Sequence, residues 1–493
     1  MLRRSELLPR DHTIRFSRHR LVQTARGTAL MAMTVTLFSL FLPPAQAIPP
    51  GNNWPAFMFG VTHSSFNKAS VAITPANAAN LVRAWTWLPA PPTIPGQPSG
   101  LFASPTVVNG RIYIGANTGD FYALNEATGQ VIWKQFIGFV TAKSCSALGF
   151  VSTATVASDP VTRKLTVYVA AADGYLYALN ASDGTVYWKS LVVDPGIDQN
   201  EGYNWGSPTV VAGHIYMGMS SQCDNPLIRG GLKEFDQATG ALLNTYYTVP
   251  DGSIGGSIWS SAGAAVSAKY VFVTTGNAPT EPVGDSFSIV RLDGNTLAKQ
   301  DSWMIPNAGG TDNDFGSSPA FFSANVGGRQ MHLVTACNKN GYDYGWDQQN
   351  LSAGPLWQTL ISNGMKGGHC ISGSAWDGTH LFVAAVKTTI NGIDYQGSVQ
   401  ELDPGTGTPI WQTGLPGGVQ TTPTINGSGV IGVASYDPSG APNAGYLVNA
   451  SDGSILTTID TGNSKIFGQL VFAGAYVFVA SFDNGISAYT PAG

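Results

Sequence analysis

The sequence predicts an all-β protein built as one eight-bladed β-propeller, and three observations carry this. Of 493 residues, 59 are Gly and 30 are Pro. An interior Gly costs a helix about 1 kcal/mol and a Pro about 3, so long helices are excluded. A single pattern of short alternating strands and turns returns along the chain, the mark of a repeat architecture. The pattern is also cut in complementary ways at its two ends, which closes a ring. With only 11 % of residues charged, the chain is neither disordered, nor a coiled coil, nor built to grip nucleic acid.

Residues 1–47 stand apart. Arg3, Arg4, Arg10, Arg15, Arg18, Arg20 and Arg26 precede an apolar run from Ala29 to Leu42, followed by Pro43, Pro44 and Ala45-Gln46-Ala47. A basic region, a short apolar core and a small-x-small site read as a secretory signal peptide. The run is shorter than the ~20 residues that cross a bilayer, so no stable membrane span is expected. The expectation is an exported protein, periplasmic or extracellular, with one domain over residues 48–493. Without the arginine-rich leader the chain is more acidic still, which disfavours nucleic acid and anionic lipid as partners.

The first full unit runs Ser104-Pro105-Thr106-Val107-Val108, Arg111-Ile112-Tyr113-Ile114, Asp120-Phe121-Tyr122-Ala123-Leu124-Asn125, Thr128-Gly129 and Val131-Ile132-Trp133. The next repeats it through Tyr175–Asn180, Asp183-Gly184 and Trp188. The pattern returns up to Leu243, Lys299, Trp357, Trp411 and Leu456, with weaker consensus at Leu297 and Leu456. Period-two alternation gives each strand two faces. One four-stranded sheet cannot bury both, and radial stacking does. Gly in each tight turn supplies φ > 0, and the Trp after it fills the gap between neighbouring sheets. After the seventh unit come three strands, Gln469–Val471, Tyr476–Ala480 and Ile486–Tyr489, with no fourth. Before the first unit sits a lone strand, Leu81–Trp87. Joined, they make an eighth blade and remove the open edges of the ring.

Four cysteines, Cys145, Cys223, Cys337 and Cys370, allow three disulfide connectivities. None forms a CxxC or CxxCH pattern, so neither a zinc ribbon nor a covalent c-type haem is expected.

The unit Gly-x-x-Tyr-Ala-Leu-Asn-x-x-Thr-Gly-x-x-x-Trp resembles the tryptophan-docking repeat of pyrroloquinoline quinone (PQQ) dehydrogenases. The segments between blades extend the resemblance. Ser257-Ile258-Trp259, after Gly255-Gly256, resembles the segment whose Trp forms the floor beneath the quinone; a flat anion needs such a platform. Thr275-Gly276-Asn277-Ala278-Pro279 resembles the Thr-Gly-Asn-x-Pro stretch whose Asn binds calcium, a hard cation that takes oxygen ligands. Asp312-Asn313-Asp314-Phe315-Gly316 resembles the Asp-aromatic element that carries the general base, and Asp314 aligns because it directly precedes the aromatic residue, with Asp312 as its competitor. Lys339 in Cys337-Asn338-Lys339-Asn340-Gly341-Tyr342 takes the position of a cation that stabilises charge developing on the quinone. The loop Ser220–Gly230 ends in Arg229-Gly230, as the family's does, and this implies a cofactor contact for Arg229. Where that loop carries a calcium-binding Glu, this chain offers Asp224. The adjacent cysteines that cover the quinone in some members are missing. Cys145 with Cys223, and Cys337 with Cys370, are pairings open to this chain. His369, beside Cys370, reads as a structural hydrogen-bonder.

The resemblance therefore implies a PQQ- and calcium-dependent oxidoreductase acting on an alcohol, with Asp314 and Lys339 catalytic. Trp259, Asn277, Arg229 and Lys339 would hold the cofactor, and Asn277, Asp224 and Asp314 the metal. Electrons would pass to an external acceptor. The lack of a haem motif and the Asp-Phe-Gly-Ser-Ser-Pro stretch look nearest the polyvinyl-alcohol dehydrogenase-like branch. A non-catalytic binding or scaffold propeller of the envelope is the alternative, and a carbohydrate-active propeller with an axial carboxylate pair is a third.

Overall fold

The computed structural model describes residues 53–492 apart from 142–144, 197–200, 280, 307, 309–311, 365–368 and 438–439. The proposed signal peptide, residues 1–47, lies outside the described residues, which all fall in the second of the two units into which the chain divides, 47–493. No helix among the described residues is long and apolar enough to cross a membrane.

The strands form eight sheets, one per blade. Blade 1 consists of Thr106–Val108, Arg111–Gly115, Asp120–Asn125 and Val131–Phe136, paired antiparallel in that order. Blades 2 to 7 occupy 155–191, 209–247, 265–304, 320–360, 375–415 and 424–460. Blade 8 joins both ends of the chain: Val471–Ala473, Tyr476–Ser481 and Gly485–Pro491 are completed by Leu81–Trp87, antiparallel to Gly485–Pro491. The closure is packed as well as hydrogen-bonded. Val471, Phe478, Ile486 and Ala488 of blade 8 share one apolar cluster with Val107, Ile112, Ile114 and Leu124 of blade 1.

The docking tryptophans seal the joints between blades by a repeated contact. Trp133 lies against Gly184 in the last turn of blade 2, and its indole N–H donates to Ala181 O at 3.1 Å. A Cβ on Gly184 would sit 2.6 Å from the Trp133 ring, and its φ is +78°. Both the close approach and the left-handed turn therefore require Gly. Trp85 on Gly129, Trp188 on Gly240, Trp357 on Gly407 and Trp411 on Gly453 repeat the contact. At the joint of blades 3 and 4 the Trp and the Gly are lost together. Asn244 stands in for the indole and donates to Asn295 O at 2.9 Å, and Leu297 replaces the turn Gly. This is why the consensus weakens there.

Residues 53–67, which the sequence left without an element, run around the inside of the ring. Backbone carbonyls along it accept an amide from the innermost strands of blades 1, 2, 4, 5, 6 and 7 in turn. Trp54 O takes Val107 N (3.0 Å), Pro55 O takes Val156 N (2.8 Å), Val61 O takes Val266 N (2.8 Å) and Thr62 O takes Phe321 N (3.1 Å). Ser64 O and Ser65 O continue to Trp376 N and Ile425 N, and the Asn67 amide donates to Phe472 O in blade 8.

Alternation of direction fixes where loops can meet. In a four-stranded antiparallel blade the link from the previous blade and the link between strands two and three lie at one end. The two remaining turns lie at the other.

Candidate functional site

The predicted residues fall in those same-end links. Asp224 follows the second strand of blade 3, and Trp259 lies in the link from blade 3 to blade 4. Asn277 follows the second strand of blade 4, Asp312 and Asp314 lie in the link to blade 5, and Lys339 follows its second strand.

Each is fixed by neighbours of opposite character. Ile258 is fully buried between blades 3 and 4, its N–H bonded to Met219 O at 3.1 Å, and it turns Trp259 outward. Phe315 is fully buried against Tyr344 and Trp346 and anchors Asp314. Gly316 lets the Trp259 ring lie against the entrance to blade 5, where a Cβ would come within 2.4 Å of it. Lys339 stands two residues after Cys337, whose buried bridge to Cys370 ties the strand end to the next inter-blade link.

The side chains converge. Trp259 Nε1 donates to Asp314 Oδ2 at 2.9 Å, and Lys339 Nζ lies 2.8 Å from Asp314 Oδ1 and 2.6 Å from Asp312 Oδ1. The same ammonium sits 4.8 Å from the centre of the Trp259 ring, a cation–π contact. Asp314 is 1 % exposed, whereas Asp312 reaches solvent. Burial pushes the Asp314 carboxyl above its ordinary range, against the opposing charge and hydrogen bond of Lys339 and the bond from Trp259. Burial alone would weaken the Lys339 ammonium, and the carboxylates of Asp314 and Asp312 more than offset it and hold it protonated. Asp224 sits at the lip. Burial and the negative Asp314 raise its carboxyl, while Lys339 and the neighbouring Asn277 side chain oppose the rise.

Trp205, Ser221, Gln222, Cys223, Asp224, Ser257, Trp259, Asp312 and Lys339 line a cavity of about 220 Å³. Its contents fit a planar anion and a hard cation. Trp259 offers a flat face with an ammonium above it. The lining carboxylates Asp224 and Asp312, with Asp314 behind them, outnumber the Lys339 ammonium among the described residues, and in the same link Asn313 Oδ1 is buried without a hydrogen-bond partner.

Arg229 is the predicted residue that the fold does not bring into the cluster. Its guanidinium donates to Val249 O at 3.1 and 3.0 Å, pairs with Asp251 and stacks 3.8 Å from the Tyr247 ring. These partners lie at the end of the outermost strand of blade 3. His369 lies close enough to Lys339 for its charge to add to burial in lowering the imidazole. Trp205 is a wall residue that the motifs missed. Its N–H donates to Ser221 O and Gln222 O at 3.0 and 3.1 Å. The signal for it was present: like Trp259, it directly precedes a blade rather than following a turn Gly.

The profile of the glucose/ethanol/alcohol dehydrogenase β-propeller domain, the PQQ family, matches residues 54–357, a stretch that contains every residue of this cluster. The chain belongs to this family. It is a PQQ-dependent alcohol dehydrogenase-like propeller. A second profile, for the outer membrane protein assembly factor BamB, matches residues 346–465. The polyvinylalcohol dehydrogenase of a Pseudomonas species is 25 % identical over 384 residues, 69 % of this chain and 56 % of that protein. Its Sphingopyxis counterpart is 26 % identical over 57 % of this chain and 47 % of its own length. The propeller chain thus spans about half the length of these curated relatives. The quinohemoprotein alcohol dehydrogenase of Comamonas testosteroni superposes with a TM-score of 0.72 at 16 % identity, covering 89 % of this chain and 80 % of that one, a likeness of fold.

Proposed function

We propose that this propeller is an exported quinoprotein oxidoreductase that oxidises an alcohol with PQQ and calcium and passes the electrons to an external acceptor. The observation that carries the reading is the convergence of Trp259, Asp314 and Lys339, from two inter-blade links and the turn between strands two and three of blade 5, beside a cavity that Trp259 and Lys339 line. Bound PQQ supplies a two-electron acceptor and calcium a Lewis acid. Trp259 gives the ring its floor, and Asn277 and Asp224 offer oxygen to the cation together with Asp314. Asp314 takes the substrate hydroxyl proton, and burial, which raises its carboxyl, supports this by making the carboxylate a stronger base. Lys339 holds a fixed positive charge beside it, and the apolar ring of Trp259 keeps water from that side. A secondary or polymeric alcohol is the substrate class that the polyvinylalcohol dehydrogenases favour.

Titration with PQQ and calcium chloride, followed by tryptophan quenching and dye-linked alcohol oxidation, tests the reading. Asp314→Asn should bind PQQ yet lose turnover by about 10²–10⁴. Lys339→Ala should slow turnover by about 10²–10³. Trp259→Ala should weaken PQQ binding by about 1–3 kcal/mol, the stacking scale of aromatic platforms, whereas Arg229→Ala should leave it unchanged. Full activity in Asp314→Asn would sink the mechanism.

The match of residues 346–465 to an assembly factor supports a second reading, a binding propeller without chemistry. That stretch contains none of the clustered residues. Wild type that takes up no PQQ with calcium would favour it.

A further inference from the structure

The bridge between Cys145 and Cys223 does something the second bridge does not. Cys145 lies in the link from blade 1 to blade 2, and Cys223 follows the second strand of blade 3, so the bond skips a whole blade. Cys337 and Cys370 are each 1 % exposed and join successive blades, whereas Cys223 is exposed and lines the cavity with Trp259 and Lys339. One residue further on is Asp224, a lining carboxylate that faces the Asn277 side chain. Its backbone is left-handed, with φ +59°, a conformation uncommon for a non-Gly residue. Such a conformation persists only where the surroundings over-determine it.

Those surroundings are visible. On the N-terminal side of Asp224, Gln222 Nε2 donates to Ser146 O at 2.7 Å, and Gln222 N to Glu201 O at 2.8 Å. The Trp205 indole holds the Ser221 and Gln222 carbonyls. The bridge is the covalent member of this set and the one adjacent to Asp224. An exposed bond of this kind is open to a dithiol, and the buried one is not.

We infer that the Cys145–Cys223 bridge is a positioning element for the ligand cavity. It holds Asp224 in its left-handed conformation against Asn277, so that the cation-binding wall stands formed before ligand arrives. A dithiol removes it: the S–S bond takes up two electrons and two protons to give two thiols, and the dithiol closes to its own disulfide. A wall that must be ordered on binding costs affinity.

The inference rests on the PQQ and calcium reading, and two measurements separate its failure from that of the reading. The first is the calcium concentration that half-saturates PQQ quenching, in wild type, Cys145→Ala/Cys223→Ala, Asp224→Asn and the combination. The cysteine pair and Asp224→Asn should each raise it by about ten-fold, and the combination should raise it little further, because both remove one interaction. A merely structural bridge would give additive losses, and that result, or no shift in the cysteine variant, overturns the inference. The second measurement is hydrogen exchange over residues 220–225 in protein without ligand, before and after dithiothreitol. Exchange should quicken there and not around Cys337. Unchanged exchange overturns the tie itself, whatever binds. Wild type that takes up no PQQ overturns the enzyme reading and, with it, the ligand half of this inference.

Discussion

Two carboxyls of blade 5 and its entrance are buried on different terms. Asp314 has Lys339 and Trp259 beside it. Asp343, inside the blade, is fully buried and accepts from Thr335 Oγ1 at 2.9 Å, and its Oδ2 has no hydrogen-bond partner. Burial raises Asp343 from 3.8 to about 7. An acid raised in the native state gives its full stability below the unfolded value, and loses it as pH climbs through the native one. Asp343 should therefore cost stability progressively between about pH 4 and 7, on the order of 2–4 kcal/mol in all. Asp343→Asn should flatten that limb and unfold at higher urea than wild type at pH 8, with little difference at pH 4. At this scale the sequence was legible where a residue departs from the repeat. Trp259 and Asp314 break the blade pattern, and Trp259 lines the cavity with Asp314 bonded to it. Arg229 sits in an equally suggestive Arg-Gly pair, but a motif does not say which way a long side chain turns, and Tyr247 and Asp251 decide it. Asp343 gave no signal, since burial at the third strand of a blade depends on its neighbour.

The blades were readable as elements because the contact that joins them leaves two marks on the sequence, a Trp in one unit and a turn Gly in the next. Where Asn244 and Leu297 replace that pair, the joint is still made but the marks are gone. Residues 53–67 were opaque for the opposite reason. They have no periodicity, and their partners stand up to hundreds of positions away. His63 is the acid-sensitive point of this segment. It is buried, its Nδ1–H donates to Pro319 O at 2.7 Å, and burial lowers its value to about 4. A histidine lowered in the native state stabilises above its unfolded value of 6.5, and that contribution is lost as pH falls through 4. Wild type should thus lose on the order of 2–3 kcal/mol between about pH 6.5 and 4. His63→Asn, which tolerates the same left-handed backbone, should lose markedly less; equal acid limbs in urea titrations of the two would contradict this.

At the scale of the whole molecule the chain's two ends share blade 8, joined by the pairing of Leu81–Trp87 with Gly485–Pro491. Deleting residues 485–493 leaves two strands with open edges. Such a truncation should aggregate or unfold without cooperativity, and a monodisperse protein with unchanged melting would contradict the closure. The eight-fold count was inferred from fragments at the two termini, each incomplete alone. Identical repeats do not by themselves say how many should close, since a ring of seven or nine would satisfy each joint equally well. The segment 54–67 makes that distinction. Its carbonyls meet blades 1, 2, 4, 5, 6 and 7 in chain order from Trp54 to Ser65, and the Asn67 side chain then donates to the eighth. It works as a ruler laid along the inner circumference, on which a blade too many or too few would leave buried amides unanswered.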